Sequence, residues 1–90
     1  MKKEIKDFRS QIDEVDKELF QELIMRFDII QEINRYKEVR GIPVESRIRE
    51  SILLEKANQL LKDTEFKEYI INVYLEIIKQ SKEYQKNNRG

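Results

Sequence analysis

Apolar side chains recur along the N-terminal stretch in steps of three and four: Ile5, Phe8, Ile12, Val15, Leu19, Leu23, Phe27, Ile30 and Ile33. That spacing marks one face of an α-helix. No Gly or Pro interrupts it before Gly41 and Pro43. The pattern predicts one helix from about Glu4 to about Val39, frayed over Met1 to Lys3. At about 1.5 Å per residue it spans about 50 Å. A compact monomer of 90 residues has a radius of gyration of only about 12 Å. Such a helix leaves its own domain with its apolar stripe wet. A second copy of the chain is the simplest cover, so a homodimer is expected.

Gly41 suits a position just past a helix end, and Pro43 follows as it does at many helix ends. Residues 40–46 are therefore expected to form a short loop. Ser46 is a suitable N-cap for a second helix from about Arg47 to Lys62, with apolar positions Ile48, Ile52, Leu53, Ala57, Leu60 and Leu61. Asp63-Thr64 opens a third helix, expected from about Glu65 to Lys86. Its stripe is Phe66, Tyr69, Ile70, Val73, Tyr74, Ile77 and Ile78, and at the same spacing it continues into Ser81 and Gln85. Two explanations fit that change of polarity: fraying toward a wet end, or a buried polar pocket. Residues 87–90 are expected to be a disordered tail. The expected fold is all-α, three helices in a single domain covering residues 1–90.

The first helix also has cations in its apolar stripe. Arg26 falls between Leu23 and Ile30, and Lys37 falls four residues after Ile33. A cation on a buried face is costly unless paired. Eleven residues at about 100° each bring Lys37 within about 20° of Arg26, about 16 Å along the axis. Their side chains either snorkel to water or lean toward a ligand between them. Arg9 lies about 25 Å before Arg26 and is rotated by about 100°. One small ligand cannot touch both from the same helix. Arg9 either pairs with Asp13 at i+4 or serves a partner's site.

Charge and composition narrow the chemistry. The chain has 18 basic and 18 acidic side chains, no Cys and no His. A neutral balance argues against a dedicated nucleic-acid binder. Without Cys there is no disulfide framework or thiolate metal site, and without His the commonest general base is missing. The residues after Met1-Lys2-Lys3 are charged rather than apolar, unlike a signal peptide. No apolar run approaches a membrane span, so a soluble, cytoplasmic protein is expected. The stripe-breaking residues Arg26, Lys37, Ser81 and Gln85, with Arg49 and Glu50 at the start of the second helix, have a cationic surplus. Helix-start amides and an arginine fork favour carboxylates, although taken alone Arg49 and Glu50 read more simply as a surface pair. This set suits a small dianion. Any reaction it promotes should depend on positioning and electrostatics rather than proton shuttling.

Phe8-Arg9-Ser10-Gln11-Ile12-Asp13-Glu14-Val15-Asp16, then Arg26, Tyr36-Lys37, Gly41-Ile42-Pro43-Val44, Arg49-Glu50 and Ile77-Ile78-Lys79-Gln80-Ser81-Lys82-Glu83-Tyr84-Gln85 together resemble the all-helical chorismate mutases, in order over nearly the whole chain. The resemblance implies an intertwined homodimer that rearranges chorismate to prephenate without a cofactor, on the route to phenylalanine and tyrosine. It implies that Arg26 binds a carboxylate and that Arg9 reaches the partner's site. Arg49 is implied as a less direct carboxylate contributor. Lys37 and Gln85 resemble the pair that hydrogen-bonds the ether oxygen, Glu50 the acceptor for the ring hydroxyl, and Ser81 a ring-carboxylate contact. Two residues depart from the pattern: Ser46 stands where many members have Asp, and Asn34 where many have Gly. Rivals on the same fold are an isochorismate pyruvate lyase and a mutase for an amino-substituted chorismate. A non-catalytic helical dimer is the rival from another class. Arg49-Glu50 after Gly41-Ile42-Pro43 looks more like the mutases than the lyases.

Overall fold

Thirty-five residues of uninterrupted helical periodicity form one helix because nothing in them breaks it. We describe a computed structural model covering residues 2–90; Met1 lies outside the described residues. The chain folds as α1 (Ile5–Val39), α2 (Arg47–Leu60) and α3 (Lys67–Asn87), with no strand among the described residues. At the start of α1 the Glu4 amide donates to Asp7 Oδ2 at 2.9 Å. At its end Gly41 takes φ +67°, the left-handed conformation that glycine adopts without penalty. The Gly41 amide bonds the Glu38 carbonyl at 3.2 Å and the Ile42 amide bonds the Lys37 carbonyl at 2.8 Å. This paired closure of the last turn is the Schellman arrangement, and it fixes where the loop leaves the helix. Ser46 caps α2 as expected, its Oγ accepting from the Arg49 amide at 3.2 Å.

The bend between α2 and α3 is longer than the periodicity suggested. Thr64 Oγ1 accepts from the Phe66 amide at 3.2 Å, and the Thr64 amide bonds the Leu61 carbonyl at 3.3 Å. These local bonds compete with helix, so α2 stops at Leu60 and α3 starts at Lys67 rather than Glu65. The C-terminal end also departs from expectation. Instead of a disordered tail, Asn87 closes α3. Arg89 Nε donates to Asn34 Oδ1 at 3.0 Å and its Nη1 to the Ile42 carbonyl at 2.8 Å. The Gly90 amide donates to Glu38 Oε1 at 2.9 Å. Contacts with α1 and its loop hold the segment in place.

α3 packs against both other helices, which do not pack on each other. Arg26 pairs with Ser81 and Asn34 with Arg89, a constant offset of 55 residues, so α1 and α3 run parallel. Glu50 pairs with Lys82 and Glu45 with Lys86, so α2 runs antiparallel to α3. Phe27 and Tyr84 meet edge-on with ring centroids 6.0 Å apart. The molecule is elongated, 60 × 27 × 14 Å with a radius of gyration of 16.9 Å. Its buried set is unusual in composition: Ile78 is the buried hydrophobic residue among those described, alongside polar Asn34, Ser81 and Gln85. Ile5, Phe8, Ile12, Val15 and Leu19 are exposed along the free half of α1.

Candidate active site

α1 and α3 meet near Arg26 and Ser81, and the 42–46 loop closes over the end of α1. Between these elements and the first turns of α2 lies a cavity of about 640 Å³, within the usual range for small-molecule sites. Arg26, Lys37, Arg49, Glu50, Ser81 and Gln85 all line it. Six side chains singled out in the sequence, from three helices, thus converge on one space. The floor is apolar, with Ile30, Ile33, Leu53 and Ile78. Arg9 does not line this cavity. It is exposed on the free half of α1, and the spacing-based pairing with Asp13 is not among the ion pairs of the described residues.

The polar groups constrain one another. Arg26 Nη1 donates to Ser81 Oγ at 2.6 Å, and that hydroxyl donates to the Ile77 carbonyl at 2.8 Å. The guanidinium is therefore aimed across the α1–α3 contact rather than into solvent. Gln85 Nε2 gives one N–H to the Ser81 carbonyl at 3.3 Å and keeps its second. Gln85 Oε1 is buried without a partner. An unsatisfied buried amide is destabilising, and a ligand that meets it removes that penalty. Ser81 and Gln85 are buried, so fraying does not explain the polar end of the α3 stripe.

Lys37 sits in the last turn of α1, its Nζ donating to the Val44 carbonyl at 3.1 Å. Partial burial, and then the nearby Arg89 charge, hold its pKa below the ordinary 10.5. The folded chain thus binds this proton less tightly than the unfolded chain. The charged amine penalises folding below its folded pKa. The penalty is relieved as pH rises from that value to 10.5. Lys37 is expected to titrate below 10.5 when followed by NMR of its side chain, and Arg89→Ala is expected to raise the midpoint only part of the way, because burial remains. An Arg89→Ala titration identical to wild type contradicts the assigned charge effect.

Sequence reasoning missed three charged groups. Lys82 and Glu45 both line the cavity, and Arg89 braces its loop through the Ile42 carbonyl. Lys82 was detectable, since it lies four residues after Ile78 on the face that carries Ser81 and Gln85. Glu45 sits in a loop without periodicity, and Arg89 in the segment expected to be disordered. Arg26, Lys37, Arg49 and Lys82 against Glu45 and Glu50 leave a surplus of two positive charges around the cavity. A separate shallow groove on α2, between Ser51 and Lys62, gathers no comparable set. Among the described residues no cluster could hold a metal ion, and no helix is long and apolar enough to cross a membrane.

The cavity gathers hydrogen-bond donors and a cationic surplus from three helices, with no His or Cys in its lining. A family model, chorismate mutase type II, matches residues 8–86. The chain belongs to the chorismate mutase type II family. Comparison with curated proteins and with solved structures finds no match.

Proposed function

We propose that the chain is a chorismate mutase that works as a homodimer and converts chorismate to prephenate. The observation that carries this is the convergence of Arg26, Lys37, Arg49, Glu50, Ser81 and Gln85 on one cavity with a surplus of two positive charges, in a chain of this family. Chorismate carries two carboxylates, which matches that surplus. The rearrangement is unimolecular: the ether C–O bond breaks as a C–C bond forms, and no proton is exchanged. C–O cleavage runs ahead, so negative charge grows on the ether oxygen. Lys37 Nζ and the free N–H of Gln85 donate to it. Such donors act most strongly when preorganised in a water-poor site. Arg26 and Arg49 hold carboxylates, with Ser81 steering Arg26 and donating to the ring carboxylate once its hydroxyl turns from the Ile77 carbonyl. Glu50 accepts the ring hydroxyl. Binding both carboxylates selects the compact conformer in which the reacting carbons are close. The absence of His and Cys from the chain is no obstacle to such a reaction.

The exposed stripe supports the dimer. The chain exposes 7850 Å², against about 5,600 Å² for a compact monomer of this mass. The excess, about 2,200 Å² per chain, is the scale that obligate homodimers bury. Sedimentation at micromolar concentration is expected to give about twice the 11.0 kDa chain mass; a stable folded monomer contradicts it. The activity itself is tested by mixing the purified protein with chorismate, following loss of its absorbance, and converting prephenate to phenylpyruvate with acid. Rapid loss with prephenate formed supports the proposal. A folded dimer that leaves chorismate intact but releases pyruvate from isochorismate is a lyase instead. Inertness toward both points to a non-catalytic dimer.

A further inference from the structure

We propose that Lys82 is a positioning residue that sets, through Glu50, how the cavity recognises a hydroxyl group on its ligand. The inference rests on the mutase function proposed above. Lys82 Nζ donates to Glu50 Oε1 at 2.8 Å, joining α3 to the first turn of α2. The two side chains are only 25% and 29% exposed, and both line the cavity. Glu45 Oε1 stands 4.0 Å from the same ammonium and 3.1 Å from Lys86 Nζ. Charges therefore alternate from Lys86, outside the cavity, to Glu45, Lys82 and Glu50 in its lining. The neighbouring Ser46 oxygen is committed to capping α2. Glu45 and Glu50 supply the acidic groups on this side, and Lys82 lies between them.

Two physical consequences follow from that position. A glutamate on a first helical turn has several rotatable bonds and no fixed direction of its own. Lys82 engages one carboxylate oxygen, which ties the group to α3 and leaves the other oxygen for a ligand donor; fixing a group before binding removes an entropic penalty from the complex. The second consequence is electrostatic. A bare carboxylate facing a dianion repels it, and the lysine charge offsets that repulsion while the hydroxyl acceptor is kept. The hydrogen bond to Glu50, opposed by desolvation and helped by the Glu50 and Glu45 charges, raises the Lys82 pKa above its ordinary value. The ammonium is therefore charged throughout the neutral range. An exposed ion pair contributes little, but this one is mostly shielded and faces the site.

The test is steady-state kinetics of wild type, Lys82→Gln, Lys82→Arg and Glu50→Gln. Each is measured with chorismate and, as a competing ligand, a chorismate analogue lacking the ring hydroxyl. Lys82→Gln is expected to raise KM for chorismate about tenfold, the scale of one charge-assisted hydrogen bond, with kcat close to wild type. Affinity for the analogue should fall less than affinity for chorismate, because the analogue loses only the charge compensation and has no hydroxyl contact to lose. Lys82→Arg should restore most of the loss. Lys82→Gln/Glu50→Gln should be no worse than Glu50→Gln, since the two act as one unit. That double variant leaves neither partner unpaired, and it serves if the single variant does not fold. An equal loss of affinity for chorismate and analogue, or additive losses in the double variant, overturns the inference. So does an active wild type whose Lys82→Gln variant has unchanged KM. Failure of the wild type to turn over chorismate removes the proposed function, and this inference with it.

Discussion

Lys37→Ala is expected to lower kcat about 10²–10³-fold, the usual effect of removing one donor to a developing oxyanion, while fold stability at neutral pH stays level or rises. The two effects have opposite signs for one reason. Lys37 Nζ is half-buried and held by the Val44 carbonyl at 3.1 Å, and among the described residues it makes no ion pair. Burial and the Arg89 charge depress its pKa. At neutral pH its charge is therefore a stability liability, relieved only as pH rises toward 10.5. A cation kept where it weakens the fold is best explained by a ligand that needs it. Its position is also well defined, because the turn beside it is closed by the Ile42-to-Lys37 and Gly41-to-Glu38 backbone bonds. Alanine removes the donor without disturbing that closure. The paired measurement is kcat on chorismate and the midpoint of denaturant unfolding. A variant that keeps most of its turnover sinks the proposed mechanism. One that loses activity only in proportion to lost folded protein makes Lys37 structural instead.

The helices were legible because each follows a single local rule. The periodicity through Ile33 and the Gly41–Pro43 break placed both ends of α1 within a residue, and Ser46 marked the start of α2. The start of α3 was misjudged because Thr64 withdraws the Phe66 amide through a side-chain bond that no periodicity reveals. Arg89 was misread for a related reason: its partners Asn34 and Ile42 are distant in sequence, and isolated long-range contacts leave no pattern. Asn34 itself was noticed only as a departure from a family glycine. In the fold it is buried and accepts the Arg89 hydrogen bond, so the larger side chain has a partner rather than a clash. The candidate site was legible in unequal parts. Arg26, Lys37, Ser81 and Gln85 stood out as polar members of apolar stripes. Arg49 and Glu50 drew their weight mainly from the family resemblance. Lys82 was marked by the same face as Ser81 and Gln85, although its partner Glu50, 32 residues away, left no local pattern.

Arg9→Ala and Arg26→Ala dimers are each expected to lose about 10²-fold or more in kcat/KM, as when one partner of a desolvated charge pair is truncated. Unfolded and refolded together, they are expected to recover about a quarter of wild-type turnover. The ratio follows from the geometry proposed for the dimer. The cavity is lined from Arg26 onward, and Arg9 lies about 25 Å before Arg26 on a rigid helix. It cannot fold back into its own chain's cavity. The half of α1 that carries it exposes Phe8, Ile12 and Val15, a surface suited to crossing a second copy. In a twofold dimer each site then takes Arg26 from one chain and Arg9 from the other. A mixed dimer of the two variants has one site with both arginines and one with neither. Random pairing makes about half of the dimers mixed, so about one site in four is intact. If Arg9 served its own chain's site, every site in the mixture would lack one arginine and no activity would return. Recovery near a quarter therefore supports the crossed arrangement. Its absence from a mixture shown to contain mixed dimers rules out the crossed arrangement, and full activity of Arg9→Ala alone removes Arg9 from the site.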